Sequence, residues 1–217
     1  MTERKNIVDG MQAPNLNYGL VYTKKCGWVD LGHANPVGGA SVLWDNIRYE
    51  KGKSSTKAGY HRIVYSQKMG NKYVKVGVKK TFDIKRGLKL QQKKSIALAI
   101  FLDVSKRFET MQGGLFWRFF TNSSFSAEDL VSNLIGFYRA VEPQKSFLQI
   151  CEPVSKEEAL TIWDTYGSVD SNKNYTIVPY IYPTSFSKNL GPMSSQLPPM
   201  LRTIKPANQG VLFYEVK

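Results

Sequence analysis

Cysteine and histidine are scarce in this chain, and so is negative charge. Two cysteines, Cys26 and Cys151, and two histidines, His33 and His61, stand among 217 residues. Two thiols allow one disulfide but no disulfide framework, and they exclude a metal site built of cysteine ligands alone. No apolar run is long enough to cross a bilayer; the longest, Ile96–Leu102, suits an ordinary buried helix. The first ten residues hold no apolar segment of the signal-peptide kind, so the expectation is synthesis in the cytoplasm, with any work outside it depending on another delivery machine. A phosphate-cradling loop, a dinucleotide fingerprint and an HExxH spacing are all missing, and no cofactor is called for.

Basic charge is abundant. Thirty Lys and Arg face seventeen Asp and Glu, for a formal charge of +13 and a pI near 9.6. A chain so biased is suited to an anionic partner: nucleic acid, anionic lipid or the bacterial cell wall. The bias is concentrated, because Arg48 to Lys94 carries fifteen Lys and Arg against two acids, Glu50 and Asp83. With 42% hydrophobic residues the chain can bury a real core and is no disordered polyelectrolyte.

Patterning predicts an α+β chain: a single domain over residues 18–217, with a small antiparallel sheet beside a helical layer, behind an irregular arm over residues 1–17. Gly19–Thr23 and Trp28–Leu31 read as short strands around a Lys-Lys-Cys-Gly bend, and Ala40–Arg48 as a short helix. Tyr60–Lys68 and Lys72–Lys80 read as a hairpin with an exposed basic face, His61 included in the solvent-facing set. Ile96, Ile100, Val104 and Phe108 recur at helical spacing across 90–111. Two further helices are expected over Ser126–Val141 and Ser155–Tyr166, each opened by a capping-box pattern, Ser126 with Asp129 and Ser155 with Glu158. Tyr175–Tyr182 and Val211–Val216 are the last strand candidates, separated by a Pro-rich loop over Pro192–Pro206.

Several polar residues fall where chemistry could use them. Glu109 shares the helix face of Leu98 and Leu102, so its carboxylate should lose solvation and behave as a general acid or base near neutrality. Asp30 precedes His33 by three residues, and a bend at Gly32 would let the carboxylate orient the imidazole, as in a catalytic triad. Glu128 and Asp129 occupy a helix first turn, where acids also serve the helix dipole. Asn133 follows Asp129 by one turn, so the two could position a substrate, with Ser126 beside them. Cys26 or Cys151 could act as a nucleophile with His33, Cys151 gaining from a nearby helix start. His33 with Glu109, Glu128 or Asp129 could ligate a metal on residue type alone. Tyr60, Tyr65 and Tyr73, interleaved with lysines, would suit a nucleic-acid surface.

The strings Gly27-Trp-Val-Asp-Leu-Gly-His33, Phe108-Glu109-Thr110, Ser123–Gly136 and Ser187-Lys-Asn-Leu190 with Gly191-Pro192 resemble the ordered motifs of a bacterial domain-of-unknown-function family. That family carries GFIDxxH, HExxTW, SAFSPEDLYSNLLG and RNLDIGPELTPW, and its members are typically lipoproteins or exported proteins. The likeness spans Tyr18 to about Leu201. It places the family's polar positions on Asp30, His33, Glu109, Glu128, Asp129 and Asn133. Two departures stand out: Phe108 replaces the family's His, against a metal, and Cys26 misses the family's strand cysteine. A small basic member also resembles antibacterial effectors of type VI secretion, several of which attack peptidoglycan, and a His-bearing strand followed by a helix start is similar to permuted papain-like hydrolases. The resemblance implies a peptidoglycan hydrolase delivered to the periplasm of a target cell, with an immunity protein and a secretion-apparatus protein as partners. The alternatives are a cysteine endopeptidase or amidase, and a basic nucleic-acid-binding protein or nuclease.

Overall fold

The computed structural model describes residues 3–37, 39–70, 75–112, 126, 128–169, 173–183 and 191–216. In chain order its elements are β1 (Leu20–Thr23), β2 (Gly27–Asp30), α1 (Gly39–Arg48), β3 (Lys53–Ser54), β4 (Tyr60–Gly70), β5 (Lys75–Lys85) and α2 (Leu90–Gln112). There follow α3 (Asp129–Val141), α4 (Phe147–Ile150), α5 (Lys156–Tyr166), β6 (Tyr180–Ile181), β7 (Met193–Ser194) and β8 (Phe213–Val216). The class is α+β. Among the described residues the strands form three separate antiparallel sheets: β1-β2, β3-β4-β5-β8 and β6-β7. No helix among them is long and apolar enough to cross a membrane. The chain divides into two compact units, Met1–Asn35 with Gln112–Arg202, and Pro36–Met111 with Thr203–Lys217.

The first unit is organised by the β1-β2 hairpin. Its register pairs Leu20 with Asp30 and Thr23 with Gly27. Gly27 closes the bend at φ +68, and a Cβ there would lie 2.0 Å from the Tyr180 carbonyl oxygen, so the bend needs glycine on both counts. Leu20, Tyr22 and Trp28 from the hairpin enter a core with Ile7, Val154, Ala159, Ile162, Val169 and Tyr182. Trp28 meets Tyr22 and Trp163 edge-on. The segment before β1 is irregular apart from two short 3-10 turns, yet Ile7 and Ala13 are fully buried. Helix α5 starts as its sequence predicts: Ser155 Oγ accepts the Glu158 N–H at 3.2 Å. The strand expected over Tyr175–Tyr182 shrinks to Tyr180–Ile181. Asn174 bonds the Thr176 N–H and the Val178 carbonyl with its own side chain, which turns the chain before a strand can begin.

The second unit is built on the long β4-β5 hairpin, whose register runs from Tyr60–Lys85 to Gly70–Lys75. Strand β5 ends five residues later than the lysine alternation suggests, and β8 pairs with this added part, Thr81 with Val216 through Ile84 with Phe213. Inward positions recur every second residue: His61, Ile63 and Tyr65 on β4, and Lys80, Phe82 and Ile84 on β5. On the opposite face Arg62 grips Asp83 through two bonds of 2.8 Å, and Ser55 donates to the same carboxylate. The guanidinium holds the Asp83 carboxyl below the usual range despite burial. Helix α2 forms as its period predicts, with Ile96, Ala97, Ile100 and Val104 fully buried.

Candidate active site

The residues from Asp30 to Asn35 form a tight turn after β2, and the chemistry of the turn explains its shape. Asp30 Oδ1 accepts the backbone N–H of Gly32 at 2.7 Å and of His33 at 3.1 Å, and the Ala34 N–H reaches back to the Asp30 carbonyl at 2.8 Å. An aspartate that satisfies its own following amides is a turn-former. The bend expected at Gly32 is therefore present, but its consequence differs from the sequence expectation. The Asp30 side chain is spent on backbone amides and does not orient the imidazole.

That place is taken by Asp129. Its Oδ1 lies 3.5 Å from His33 Nδ1, while its Oδ2 accepts the Ser126 N–H at 2.8 Å. The exposures are unequal and informative: the histidine side chain is 41% exposed and the aspartate 8%. A sheltered carboxylate behind an open imidazole is the arrangement of a held base. At 3.5 Å the pair is an electrostatic contact, longer than a formed hydrogen bond, as unliganded catalytic pairs often are.

Helix α3 holds the whole turn along one face. Ser132 Oγ accepts the Asp30 N–H at 3.0 Å, and Arg139 Nη1 donates to the Ala34 carbonyl at 2.8 Å. Between them Gly136 lets the turn lie against the helix: a Cβ there would sit 2.7 Å from the His33 carbonyl oxygen and 3.2 Å from the Ala34 carbonyl carbon. Both are backbone atoms, which cannot yield as a flexible side chain can. Asp129, Ser132, Gly136 and Arg139 follow one another at intervals of three, four and three, a single stripe of the helix. Partial burial lowers the Arg139 pKa.

Sequence reasoning missed Ser132, Gly136 and Arg139. Their common face was a usable signal, but the apolar stripe Leu130, Leu134 and Phe137 drew the reading to the other side of the helix. Asn133 is half-buried one turn beyond Asp129. Glu128 is buried at the head of α3, where its carbonyl accepts the Ser132 N–H at 2.8 Å. Ser126 is buried, with its amide committed to Asp129. Residues 123–125 and 127 of the Ser123–Gly136 motif, and Ser187–Leu190, lie outside the described residues.

Glu109 belongs to the second unit. It is 1% exposed on α2, as its place on the apolar face predicts. Three other expectations for that unit are corrected. His61 does not face solvent: it is fully buried, because it shares the inward parity of Ile63 and Tyr65. Lys80 is not on an open basic face; it is buried between Asp103, at 2.8 Å, and Glu215. Tyr65 is buried and packs against Phe101, so it offers no stacking platform to a nucleobase; Tyr73 lies outside the described residues.

The cysteines are also displaced from their expected role. Cys26 Sγ and Cys151 Sγ are 2.7 Å apart, and both residues are buried. Contact with Cys26 and burial raise the Cys151 pKa, the opposite of what a thiolate nucleophile needs. Among the described residues no group of three or more His, Cys, Asp and Glu is arranged to hold a metal ion. No family profile matches the chain, and no curated protein or solved structure shows significant similarity to it.

Proposed function

We propose that the protein is a hydrolase in which His33, held by Asp129, is the general base, and that its substrate is peptidoglycan in the periplasm of a target cell. The observation that carries the reading is the sheltered Asp129 carboxylate behind the open His33 imidazole. With a proton on Nδ1 toward Asp129, the other ring nitrogen is the base. It would take a proton from water as that water attacks the scissile bond, and return it to the leaving group. Asp129 favours the imidazolium formed in between. Asn133, one turn along α3, is the proposed substrate-positioning residue. The surplus of positive charge favours an anionic polymer. Delivery through a secretion apparatus, and an immunity protein in the producing cell, belong to the same proposal.

The test is a zymogram on purified sacculi with wild type, His33→Ala, Asp129→Asn and Glu109→Gln. Clearing by wild type and its loss in the first two variants is the expected result. Equal clearing by all four proteins removes these residues from the mechanism, and no clearing by wild type removes the substrate. The nucleic-acid alternative is weaker, since Arg62 and Lys80 are paired with acids and Tyr65 is buried. A mobility shift that weakens steeply with salt would revive it.

A further inference from the structure

The turn of the first hairpin is stitched to the end of α4 by backbone bonds. Lys24 N–H donates to the Glu152 carbonyl at 2.9 Å and Lys25 N–H to the Cys151 carbonyl at 3.1 Å, while Thr23 and Pro153 form an isolated bridge. The Cys26 N–H bonds Thr23 Oγ1 at 3.1 Å, which fixes the residue at the mouth of the bend. Lys25 and Glu152 add an ion pair at 2.6 Å on the outside. All of these hold Cys26 over Cys151, and the sulfurs stand 2.7 Å apart. That separation is shorter than two unbonded sulfurs keep at rest. Nothing else at the site competes for the thiols: no third metal-ligating group joins them among the described residues, and burial argues against a nucleophile.

We propose that Cys26 and Cys151 are a disulfide site, and that the working form of the protein is the oxidised one. The Cys26 thiolate attacks a low-molecular-weight disulfide and releases one thiol; the Cys151 thiolate then attacks the mixed disulfide and releases the second. The Sγ–Sγ bond forms, each cysteine gives up one proton, and the exchange reagent takes the two electrons. With exposures of 2% and 0% the thiols are reached during folding, before the core closes. The bond spans 125 positions of chain, so it removes much freedom from the unfolded state. It would tie β2, which runs directly into the His33 turn, to the segment that follows α3. Such a bond suits an oxidising compartment. It does not rest on His33 being catalytic, and its tests do not read activity.

The experiment refolds wild type, Cys26→Ser and Cys151→Ser with either oxidised or reduced glutathione. Thiols are alkylated under denaturing conditions and peptides are mapped by mass. The expected wild-type product is a monomer lighter by two hydrogens, with a linked Cys26–Cys151 peptide pair. Its Tm should exceed that of the reduced form by about 10 °C. Each serine variant should lose that dependence on reductant. Two fully alkylated cysteines after oxidative refolding, glutathione adducts alone, or a bond only between chains would each overturn the proposal. If a serine variant fails to fold, the wild-type peptide map still decides.

Discussion

The two histidines sit in opposite circumstances, and the contrast separates what each can do. His33 lies on a turn, open to solvent, with a carboxylate behind it. His61 lies on a central strand, fully buried, and among the described residues neither ring nitrogen finds a well-formed hydrogen bond. Burial lowers the His61 pKa first, the Arg86 charge lowers it further, and Glu50 only partly offsets them. An imidazole that must stay neutral to remain buried contributes to folding. The His33 imidazole, open to solvent with a carboxylate 3.5 Å away, is the one a ligand could reach.

The sharpest way to break the contrast is through activity. His33→Ala should cut sacculus clearing by about 10²–10⁴-fold while leaving the Tm nearly unchanged, since the side chain is half in water. Clearing measured alongside calorimetry checks both halves. Gly136→Ala comes next: its Cβ meets the His33 carbonyl, so the turn must move or the helix must bend. Overpacking of this kind costs about 1–3 kcal/mol, and clearing should fall too although the residue bears no functional group. Denaturant titration with a parallel assay reads the two effects together.

The third prediction uses pH. Because the folded-state pKa of His61 is lowered, the unfolded chain takes the proton more readily. The stability from the neutral ring is present above the ordinary histidine range, near 6.5, and is lost as pH falls through it, with a slope of up to about 1.4 kcal/mol per pH unit. His61→Phe should flatten this acid limb in Tm measurements between pH 7.5 and 5. The smallest expected effect belongs to Asp30→Ala. It removes two turn bonds at a cost of about 1 kcal/mol. Asp30→Asn keeps the Oδ1 acceptor and drops the charge, so clearing lost in Asp30→Ala and kept in Asp30→Asn would assign the effect to the turn's shape.

Much of this layout was legible in the sequence. Helices α2 and α5 follow from period and cap, and the first hairpin from strand-forming residues around a bend, because each is decided within its own residues. Glu109 was placed inside by helical offset alone. What failed was decided by partners far away in the chain. The sign of charge put His61 and Lys80 outside, although the two-residue period already aligned them with Ile63 and Phe82. Lys80 can be buried only because Asp103 and Glu215 come to it, and a local reading cannot supply them. Asp30 precedes His33 by three residues, whereas the carboxylate found 3.5 Å from the His33 ring arrives on a helix 96 positions later. The turn's need for its own aspartate explains why the closer acid was the wrong one.

The interleaving of the two units has a consequence for biosynthesis. Met1–Asn35 must wait for the stretch that ends at Arg202 before its unit is complete, and the inserted unit must wait for Thr203–Lys217. At ribosomal elongation speeds the early hairpin therefore emerges roughly ten seconds or more before its complement exists. In that interval Leu20, Tyr22 and Trp28 lack the Val154, Ala159 and Ile162 that later bury them, and a chaperone could cover them. No single cut in the gene yields both units whole, so an expression plasmid that halves the protein should give two insoluble fragments, recoverable only when they are produced together.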